Sequence, residues 1–324
     1  MPPDREQAVP SLRLISDRGG TGVLDERVTL VNIAFRMLGS AHDAEDVVQE
    51  AYARWFALSD EARREIRSPA AWLVRVTCRI CLDQLGSARA RRERYVGDWL
   101  PEPLPDEARW TSAGKSRPGD PAEQVSLDDS VSMGVLVMLE SVTAAERVAF
   151  VMHDVFDLPH TEIAEIVGRS PAACRQLAAS ARRRLRSDRR RAVTAHQHRG
   201  IVSAFRIACE HGDFDGLISL LDPEVRVRAD GGGKARAALR PILGAEKTAR
   251  YFLGLFHKRF AQEIVEENVS GCPGLVGYAD GEVHAVMAIA VRNGRITDIW
   301  RIVNPDKLHA WNGPRQDRRA AGRR

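Results

Sequence analysis

The residues that follow Pro171 are of the types that read DNA. Along this stretch polar and apolar side chains separate at helical spacing, so that one face would be buried and the other free. The free face carries Ala172, Arg175, Gln176, Ala179, Arg182, Arg183 and Arg186. Arg and Gln near the start of a helix can hydrogen-bond base edges, and Arg residues further along can contact phosphates. The alternative is a charged, solvated face on a helical hairpin.

The residues before Pro171 predict the supporting elements of a helix-turn-helix. Residues 144–154 show helical periodicity, and Leu158-Pro159 interrupts it. Residues 161–167 predict a short helix that Gly168 ends, and Ser170 is placed to cap the next helix. A helix, a tight glycine-containing turn and a second helix are the plan of this DNA-binding motif.

Three carboxylates share one face of a helix that is predicted over residues 41–56. Asp43, Asp46 and Glu50 fall at positions i, i+3 and i+7, and Gln49 lies beside them. An apolar stripe occupies a different face of the same helix. The acidic face is either simply solvated or a docking surface for a basic partner.

A further helix is predicted to begin at Ser68-Pro69, because Ser is a favourable N-cap and Pro suits the first turn. Its buried stripe is expected to contain Trp72, Leu73, Val76 and Ile80. Arg75 and Arg79 share another face. The lone Cys78-x-x-Cys81 pair lies in an apolar helical setting with no second pair nearby, so we expect no metal site there.

Length and composition bound the class of protein. The chain has 324 residues, 44% hydrophobic and 28% charged, which indicates a globular protein of two or three domains. No apolar run approaches the ~18 residues of a membrane span, and the N-terminus lacks the apolar block of a secretory signal. Five cysteines in a chain of this size do not indicate a disulfide framework. We therefore expect a cytoplasmic protein.

The basic residues are almost all Arg rather than Lys. The basic residues are 43 Arg and 5 Lys, and the formal net charge is +4. Arg suits bidentate contact with phosphate and with guanine, although a GC-rich genome also favours Arg codons. The positions of the Arg residues are therefore more informative than their number.

The character of the sequence changes several times along the chain. Residues 1–24 are polar and aperiodic, and residues 313–324 form a basic tail. Helical patterns cover residues 25–97 and 133–192. Residues 98–132 between them are rich in Pro, Gly and Asp and predict a linker.

The last third has the pattern of an α+β domain over residues 193–312. A helix leads into β-branched runs separated by turn residues, at 225–228, 274–278, 282–291 and 295–303. The run 282–291 is apolar on both faces, so it is predicted to be a central strand covered on both sides. Helices followed by a curved sheet form a cone whose mouth can hold a small ligand. The expected fold class is thus multidomain, with two all-α domains, the second a helix-turn-helix, followed by an α+β cone.

Two residues of this last domain are of types that can take part in acid–base catalysis. His284 interrupts one face of the central strand, and Asp230 begins the glycine-rich loop DGGGK. They could form a general base and its orienting group, or be a core histidine and a turn aspartate. The loop lacks the spacing and the hydroxyl residue of a phosphate-binding loop, and suits a tight, exposed loop that approaches another domain.

Both helical segments resemble the extracytoplasmic-function sigma factors of bacterial RNA polymerase. The resemblance rests on DAEDVVQEAYARWF, on PAAWLVRVTCRICLD and on the stretch from TAAERV to ARRRLR. It implies that the acidic helix docks on the largest subunit of core polymerase. The docking residues would be Asp43, Asp46, Gln49 and Glu50. It also implies that residues 58–86, with Arg75 and Arg79, read the −10 promoter element and that the helix-turn-helix reads the −35 element.

Three further motifs resemble the group of these sigma factors that carries a fused SnoaL-like C-terminal domain. They are WLPEPL in the linker, DGGGK, and NPDKL near the last strand. The resemblance implies that the extra domain regulates the sigma activity in cis through these motifs. The residues concerned are Trp99, Leu100, Pro101, Asp230, Gly231, Gly232, Gly233, Lys234, Asn304, Pro305, Asp306, Lys307 and Leu308.

The expected protein is a promoter-specific initiation factor whose partners are core RNA polymerase and promoter DNA. We expect no catalytic residue, no cofactor, no metal and no membrane contact. Two alternatives keep the DNA-binding half and change the last domain. One makes that domain a cyclase or isomerase that depends on His284, and the other makes it a sensor of a small-molecule ligand.

Overall fold

The computed structural model describes residues 26–92, 95–106, 132–189, 193–257 and 263–312, with only the backbone for 87–92 and 185–189. The predicted tails, 1–24 and 313–324, and most of the predicted linker lie outside these residues. The chain forms two compact units. The first unit, here called the helical unit, contains the described residues 26–89 and 138–184. The second unit contains the remaining described residues.

The first four helices belong to the helical unit. They are α1 (Arg27–Leu38), α2 (Ala41–Phe56), α3 (Asp60–Glu65) and α4 (Pro69–Arg92). Between α1 and α2, Gly39 adopts a φ of 70°, a left-handed conformation that favours glycine. The Ser40 hydroxyl then caps α2 by accepting a hydrogen bond from the Asp43 amide at 3.2 Å. The apolar stripe predicted on α2 is buried, which leaves the acidic face outside the core.

The buried face of α4 differs in part from the prediction. Leu73 and Ile80 are buried as predicted, whereas Trp72 and Val76 are only half-buried. Trp72 lies at the margin of the core, edge-on to Trp55 with ring centroids 5.3 Å apart. The buried face is completed by Val74, Cys78, Cys81 and Leu85.

The helix-turn-helix predicted from the sequence is present. The helices of this segment are α5 (Met133–Leu139), α6 (Ala144–Phe150), α7 (His160–Val167) and α8 (Pro171–Arg189). The helix predicted over residues 144–154 is α-helical only as far as Phe150 and continues as a π-helical turn over Val151–Val155. No described helix is both long and apolar enough to cross a membrane.

The second unit contains the α+β domain. Its helices are α9 (Ala195–His211), α10 (Phe214–Leu220), α11 (Ala245–His257) and α12 (His309–Asn312). Its strands are β1 (Leu221–Asp230), β2 (Ile242–Leu243), β3 (Glu263–Val269), β4 (Cys272–Ala279), β5 (Glu282–Arg292) and β6 (Arg295–Ile302). They form one sheet in the order β2-β1-β6-β5-β4-β3, in which β1 and β6 are parallel and all other neighbours antiparallel.

The four predicted strands are confirmed, and two further strands were not predicted. β2 has only two residues, and β3 carries three glutamates among its seven residues, so neither has a clear strand pattern. β5 is central in the sheet and mostly buried, as predicted. Its His284 is exposed, so the alternative interpretation of this residue as a core histidine was wrong.

Both faces of this sheet are covered by apolar side chains. Helices α9, α10 and α11 cover one face with a core that includes Phe205 and Phe252, whose rings meet edge-on at 5.1 Å. The other face is covered by a second cluster that includes Leu100, Trp300 and Trp311. Leu100 belongs to the predicted linker, so this segment is part of the core of the second unit.

Replacement of Phe205 by Ala should strongly destabilise the α+β domain. Phe205 is fully buried, and a Phe-to-Ala change in a core costs about 3–5 kcal/mol through lost burial and the cavity that remains. Leu239→Ala is the matched control, because Leu239 is 69% exposed in the same domain. Chemical denaturation followed by tryptophan fluorescence would measure both changes. Equal losses for the two variants would contradict the assigned core.

Candidate functional site

The start of α8 is held by two local devices. Gly168 ends α7 with a left-handed φ of 69°, and the Ser170 hydroxyl accepts a hydrogen bond from the Ala173 amide at 3.2 Å. Cys174, Ala178 and Ala181 are buried. The opposite face of α8 is therefore presented with a fixed orientation.

The predicted DNA-reading residues differ in their solvent exposure and in their contacts within the domain. Ala172, Arg175, Gln176 and Arg183 are exposed. Arg182 is half-buried and forms an ion pair with Asp154, with Nη2 and Oδ1 2.6 Å apart. The side chain of Arg186 lies outside the described residues. The exposed set is consistent with a free, DNA-facing surface, whereas Arg182 is already engaged within the domain.

Two histidines beside α8 had no role in the sequence-based prediction. The rings of His153 and His160 are in contact, tilted by 32° with centroids 3.9 Å apart, and His153 Nδ1 lies 2.9 Å from the Leu158 carbonyl oxygen. Burial lowers the pKa of His160, and the nearby charges of His153, Arg175 and Arg182 lower it further. The lowered pKa favours the neutral form of the His160 ring beside the basic face of α8, although the Asp154 charge opposes the shift.

The four predicted polymerase-docking residues lie together on α2. Asp46, Gln49 and Glu50 are exposed, and Asp43 is half-buried next to the Ser40 cap. Glu50 accepts a hydrogen bond from Arg54 at 2.5 Å, one turn further along the helix. Exposed pairs of this kind contribute only ~0.3–0.5 kcal/mol, so the carboxylates remain available to a partner.

Arg75 and Arg79 of α4 both contact one residue of α7. Arg75 Nη1 donates a hydrogen bond to the Glu165 carboxylate at 3.1 Å, and Arg79 Nη2 donates to the Glu165 main-chain oxygen at 3.0 Å. The two arginines are thus engaged by the helix-turn-helix in this structure. The sequence-based prediction did not include Glu165.

In the second unit, a buried carboxylate lies at the end of β1. Asp230 has no solvent exposure and forms an ion pair with Lys307, with Oδ2 and Nζ 2.7 Å apart. The Leu100 amide donates to the same Oδ2 at 2.9 Å, and the Tyr95 hydroxyl donates to Oδ1 at 2.6 Å. Lys307 also donates to the Leu100 carbonyl oxygen. The pair therefore binds both polar groups of one linker residue.

Aromatic rings enclose the ammonium group of Lys307. Its Nζ lies 4.1 Å from the ring centre of Trp99 and 5.2 Å from that of Tyr95, within the range of cation–π attraction. Asn304 Nδ2 donates to the Tyr95 hydroxyl at 2.8 Å. Burial and the adjacent Asp230 raise the pKa of Tyr95 far above its usual value, so its hydroxyl stays protonated and can donate. Tyr95 lies before the WLPEPL motif, and its role was not predicted.

The remainder of the linker segment is also held. Pro101 is buried, and the Trp311 indole donates to the Pro103 carbonyl oxygen at 2.8 Å. Leu104 exchanges hydrogen bonds with Ser270, through its amide at 3.0 Å and its carbonyl oxygen at 2.7 Å. The segment 95–106 is here called the docked linker.

The two predicted loops meet beside the docked linker. Gly232 has a φ of 59°, and a Cβ there would lie 2.4 Å from Asn304 Nδ2, so this position requires glycine. Lys234 and Asp306 form an exposed ion pair at 2.7 Å between the loops. Of the other predicted residues, Gly231 and Leu308 are buried, whereas Gly233 and Pro305 are exposed. The structure thus brings the DGGGK and NPDKL motifs together around the linker.

The structure does not support a catalytic pair of Asp230 and His284. Asp230 is buried and committed to the linker and Lys307, whereas His284 is exposed on β5. Among the described residues, no group of three or more His, Cys, Asp or Glu side chains is arranged to hold a metal ion.

Comparison with known proteins identifies both halves of the helical unit. Residues 24–91 match the Sigma-70 region 2 family, and residues 132–185 match Sigma-70 region 4. The chain is also 37% identical to the ECF RNA polymerase sigma factor SigJ of Mycobacterium tuberculosis, over 91% of this chain and 94% of that protein. The chain belongs to the extracytoplasmic-function RNA polymerase sigma factors.

Two further similarities extend over the whole sigma factor. It is 38% identical to the probable ECF sigma factor SigI of M. tuberculosis, over 87% of this chain and 92% of that protein. The crystal structure of M. tuberculosis SigJ covers 88% of this chain with a TM-score of 0.65 and 33% identity, and 96% of that chain is matched. The predicted resemblance and the predicted fold class are confirmed: two helical domains, the second a helix-turn-helix, precede an α+β domain. This sigma factor accordingly acts with core RNA polymerase and promoter DNA in promoter-specific transcription initiation.

Loss of the Lys307 charge should strongly destabilise the second unit. Lys307→Met leaves the Asp230 carboxylate buried without its partner, and breaking a buried ion pair in this way costs about 3–5 kcal/mol. Lys234→Met is the matched control, because the exposed Lys234–Asp306 pair should contribute at most ~1 kcal/mol. Chemical denaturation would measure both variants. Addition of Asp230→Asn to Lys307→Met should recover part of the loss, and equal costs for the two lysine variants would contradict the assigned pair.

Proposed function

We propose that this sigma factor is a non-catalytic initiation factor whose C-terminal domain controls its activity in cis by holding the docked linker. The observation that carries this proposal is the bonding of Leu100 to Asp230 and Lys307 through both of its main-chain polar groups. A buried ion pair that is completed by the linker makes linker docking and loop conformation interdependent.

The proposed division of work in initiation follows the two sigma regions. Region 4 reads the −35 element with the exposed face of α8, and region 2 reads the −10 element through residues 58–86, including Arg75 and Arg79. Base contacts come from Ala172, Arg175 and Gln176, and phosphate contacts come from Arg182, Arg183 and Arg186. The acidic face of α2 docks on core polymerase through Asp43, Asp46, Gln49 and Glu50. The family match supports these assignments, and the exposure of the side chains supports those of Ala172, Arg175, Gln176, Arg183, Asp46, Gln49 and Glu50.

The linker is the physical basis for the proposed regulation. It connects the two regions that read DNA, so a docked linker limits the conformations in which they can bind promoter elements together. A difference of ~1.4 kcal/mol between docked and released states changes their ratio tenfold. The contacts of Trp99, Leu100 and Leu104 together can supply a free-energy difference of this size between the docked and released states.

The C-terminal domain is proposed to act without catalysis and without a cofactor. Its Asp230 carboxylate serves the linker, so an enzymatic role for this residue with His284 has no structural support. The space between the sheet and helices α9 to α11 is filled by fully buried side chains such as Phe205, Leu217 and Leu275. The proposal therefore requires no small-molecule ligand. The place of action is the cytoplasm, where polymerase and chromosome meet.

Replacement of Arg175 or Gln176 by Ala should lower selectivity for the −35 element. Each lost bidentate base contact costs about 1–3 kcal/mol of discrimination against the wrong base. Arg183→Ala should instead weaken binding evenly across sequences and reduce its salt dependence, because a phosphate contact carries no sequence information. Competition binding by the polymerase holoenzyme to promoter variants would separate these effects. Full discrimination by both variants would reject the assigned DNA-facing side.

Variants that loosen the docked linker should change transcription while the domain stays folded. Trp99→Ala removes a cation–π contact, and Tyr95→Phe removes one hydroxyl, so neither leaves an unpaired buried charge. Run-off transcription with core polymerase, at folded fractions matched by circular dichroism, would compare them with Lys247→Ala as an exposed control on α11. A chain that ends near residue 191 should not respond to the same two changes. Unchanged output from both variants of the full chain would contradict control through the docked linker.

A further inference from the structure

The first helix of the helix-turn-helix places acidic groups against region 2. The Glu165 carboxylate accepts a hydrogen bond from Arg75, and the Glu165 carbonyl oxygen accepts one from Arg79. Glu162, one turn earlier on α7, is also close to Arg75, whose charge opposes the rise in the Glu162 pKa that burial causes. Two arginines of region 2 thus face the acidic side of α7.

A buried interface within the helical unit supports this contact. Arg147 of region 4 is 3% exposed, and its Nη1 donates to the Met37 carbonyl oxygen at the end of α1, 2.6 Å away. The Cys78 thiol lies 3.4 Å from the Met152 sulfur. The Arg36 guanidinium lies 5.7 Å from the ring centre of Phe156. Regions 2 and 4 are therefore packed together by buried groups as well as by surface ion pairs.

The Glu165 carboxylate and carbonyl oxygen occupy guanidinium donors that Arg75 and Arg79 would otherwise offer to a DNA phosphate. Arg guanidinium groups bind carboxylate and phosphate with the same planar donor geometry. Most of the affinity of a protein for DNA comes from such contacts with the phosphate backbone. As long as Glu165 engages Arg75 and Arg79, these arginines are unavailable to DNA.

The dimensions of a promoter require this contact to break. Elements centred at −35 and −10 are roughly 80 Å apart along B-DNA, at ~3.4 Å for each base pair. Helix α7 cannot remain in contact with α4 while α8 lies on one element and α4 lies on the other. The packed helical unit is consequently a state that does not read a promoter.

We propose that α7 is an intramolecular inhibitor of region 2, in which the Glu165 carboxylate acts as a phosphate mimic for Arg75 and the Glu165 carbonyl oxygen occupies Arg79. The inference rests on the proposed role of these two arginines in DNA binding, and it is separate from the proposed control by the docked linker. It assigns a second function to the helix-turn-helix. The same element that reads the −35 sequence keeps region 2 from binding DNA when polymerase is absent.

The test uses the full chain and a short, mixed-sequence, single-stranded oligonucleotide, which probes region 2 without a −35 duplex. Glu165→Gln should raise the affinity for this probe about threefold, because exposed ion pairs contribute a fraction of a kcal/mol to about 1 kcal/mol. Glu165→Arg should raise it further by repelling Arg75 and Arg79. Glu165 has a side chain 60% exposed, so both variants should fold. Glu224→Gln and Glu224→Arg, at an exposed site in the other unit, make the same changes in net charge.

Hydrogen exchange of the amides of residues 147–156 supplies the second measurement, because opening of the interface exposes this segment. The proposal predicts faster exchange and tighter DNA binding in the Glu165 variants, and it predicts that Arg75→Ala combined with Arg79→Ala removes the gain in affinity. An equal gain in the Glu224 variants would show an effect of net charge and overturn the proposal. Unchanged exchange and unchanged affinity would show that Glu165 does not hold the interface, which also overturns it. Faster exchange with unchanged affinity would overturn it by a different route, because region 2 would open without Arg75 and Arg79 binding DNA.

Discussion

The buried ion pair between Asp230 and Lys307 is the interaction on which the second unit depends. Neither charge can be removed from water without partners, and the domain alone supplies only part of what they need. The docked linker supplies the rest, through the amide and carbonyl groups of Leu100 and the rings of Tyr95 and Trp99. The DGGGK and NPDKL loops and the linker therefore form one cooperative structure. A change in any one of them should destabilise the other two.

The helical unit uses charged groups in a comparable way. Arg147 is buried between regions 2 and 4 and has a pKa lowered to about 10 by burial, yet it binds the Met37 carbonyl oxygen and Glu140. Arg75 and Arg79 are satisfied by Glu165. In both units, charged groups are satisfied by partners within the chain, and in the helical unit these groups include the two arginines proposed to contact DNA. Control of initiation then becomes a competition between internal and external partners for the same side chains.

The features that could be predicted from the sequence are those that depend on local periodicity and turn chemistry. The buried stripe of α2 and the two faces of α8 follow from helical spacing, and Gly168 and Ser170 mark the turn between α7 and α8. Trp72 was assigned to the buried stripe of α4 together with Leu73, Val76 and Ile80, but it packs at the margin of the core against Trp55. The three glutamates among the seven residues of β3 concealed a strand, because they interrupt the apolar pattern by which the other strands were predicted.

The partners of the charged residues could not be predicted, because they are distant in the sequence. Glu165 lies ninety residues beyond Arg75, and Asp154 reaches Arg182 across the turn of the motif. The resemblance to the sigma family located the linker and loop motifs, but it did not show that Tyr95 joins them or that Lys307 is the centre of the cluster. The most direct test of the account is residue-resolved hydrogen exchange on the free, full-length protein. The Leu100 and Leu104 amides should exchange as slowly as those of β5 and β6, and exchange at the rate of an unstructured peptide, with the strands still protected, would contradict a docked linker.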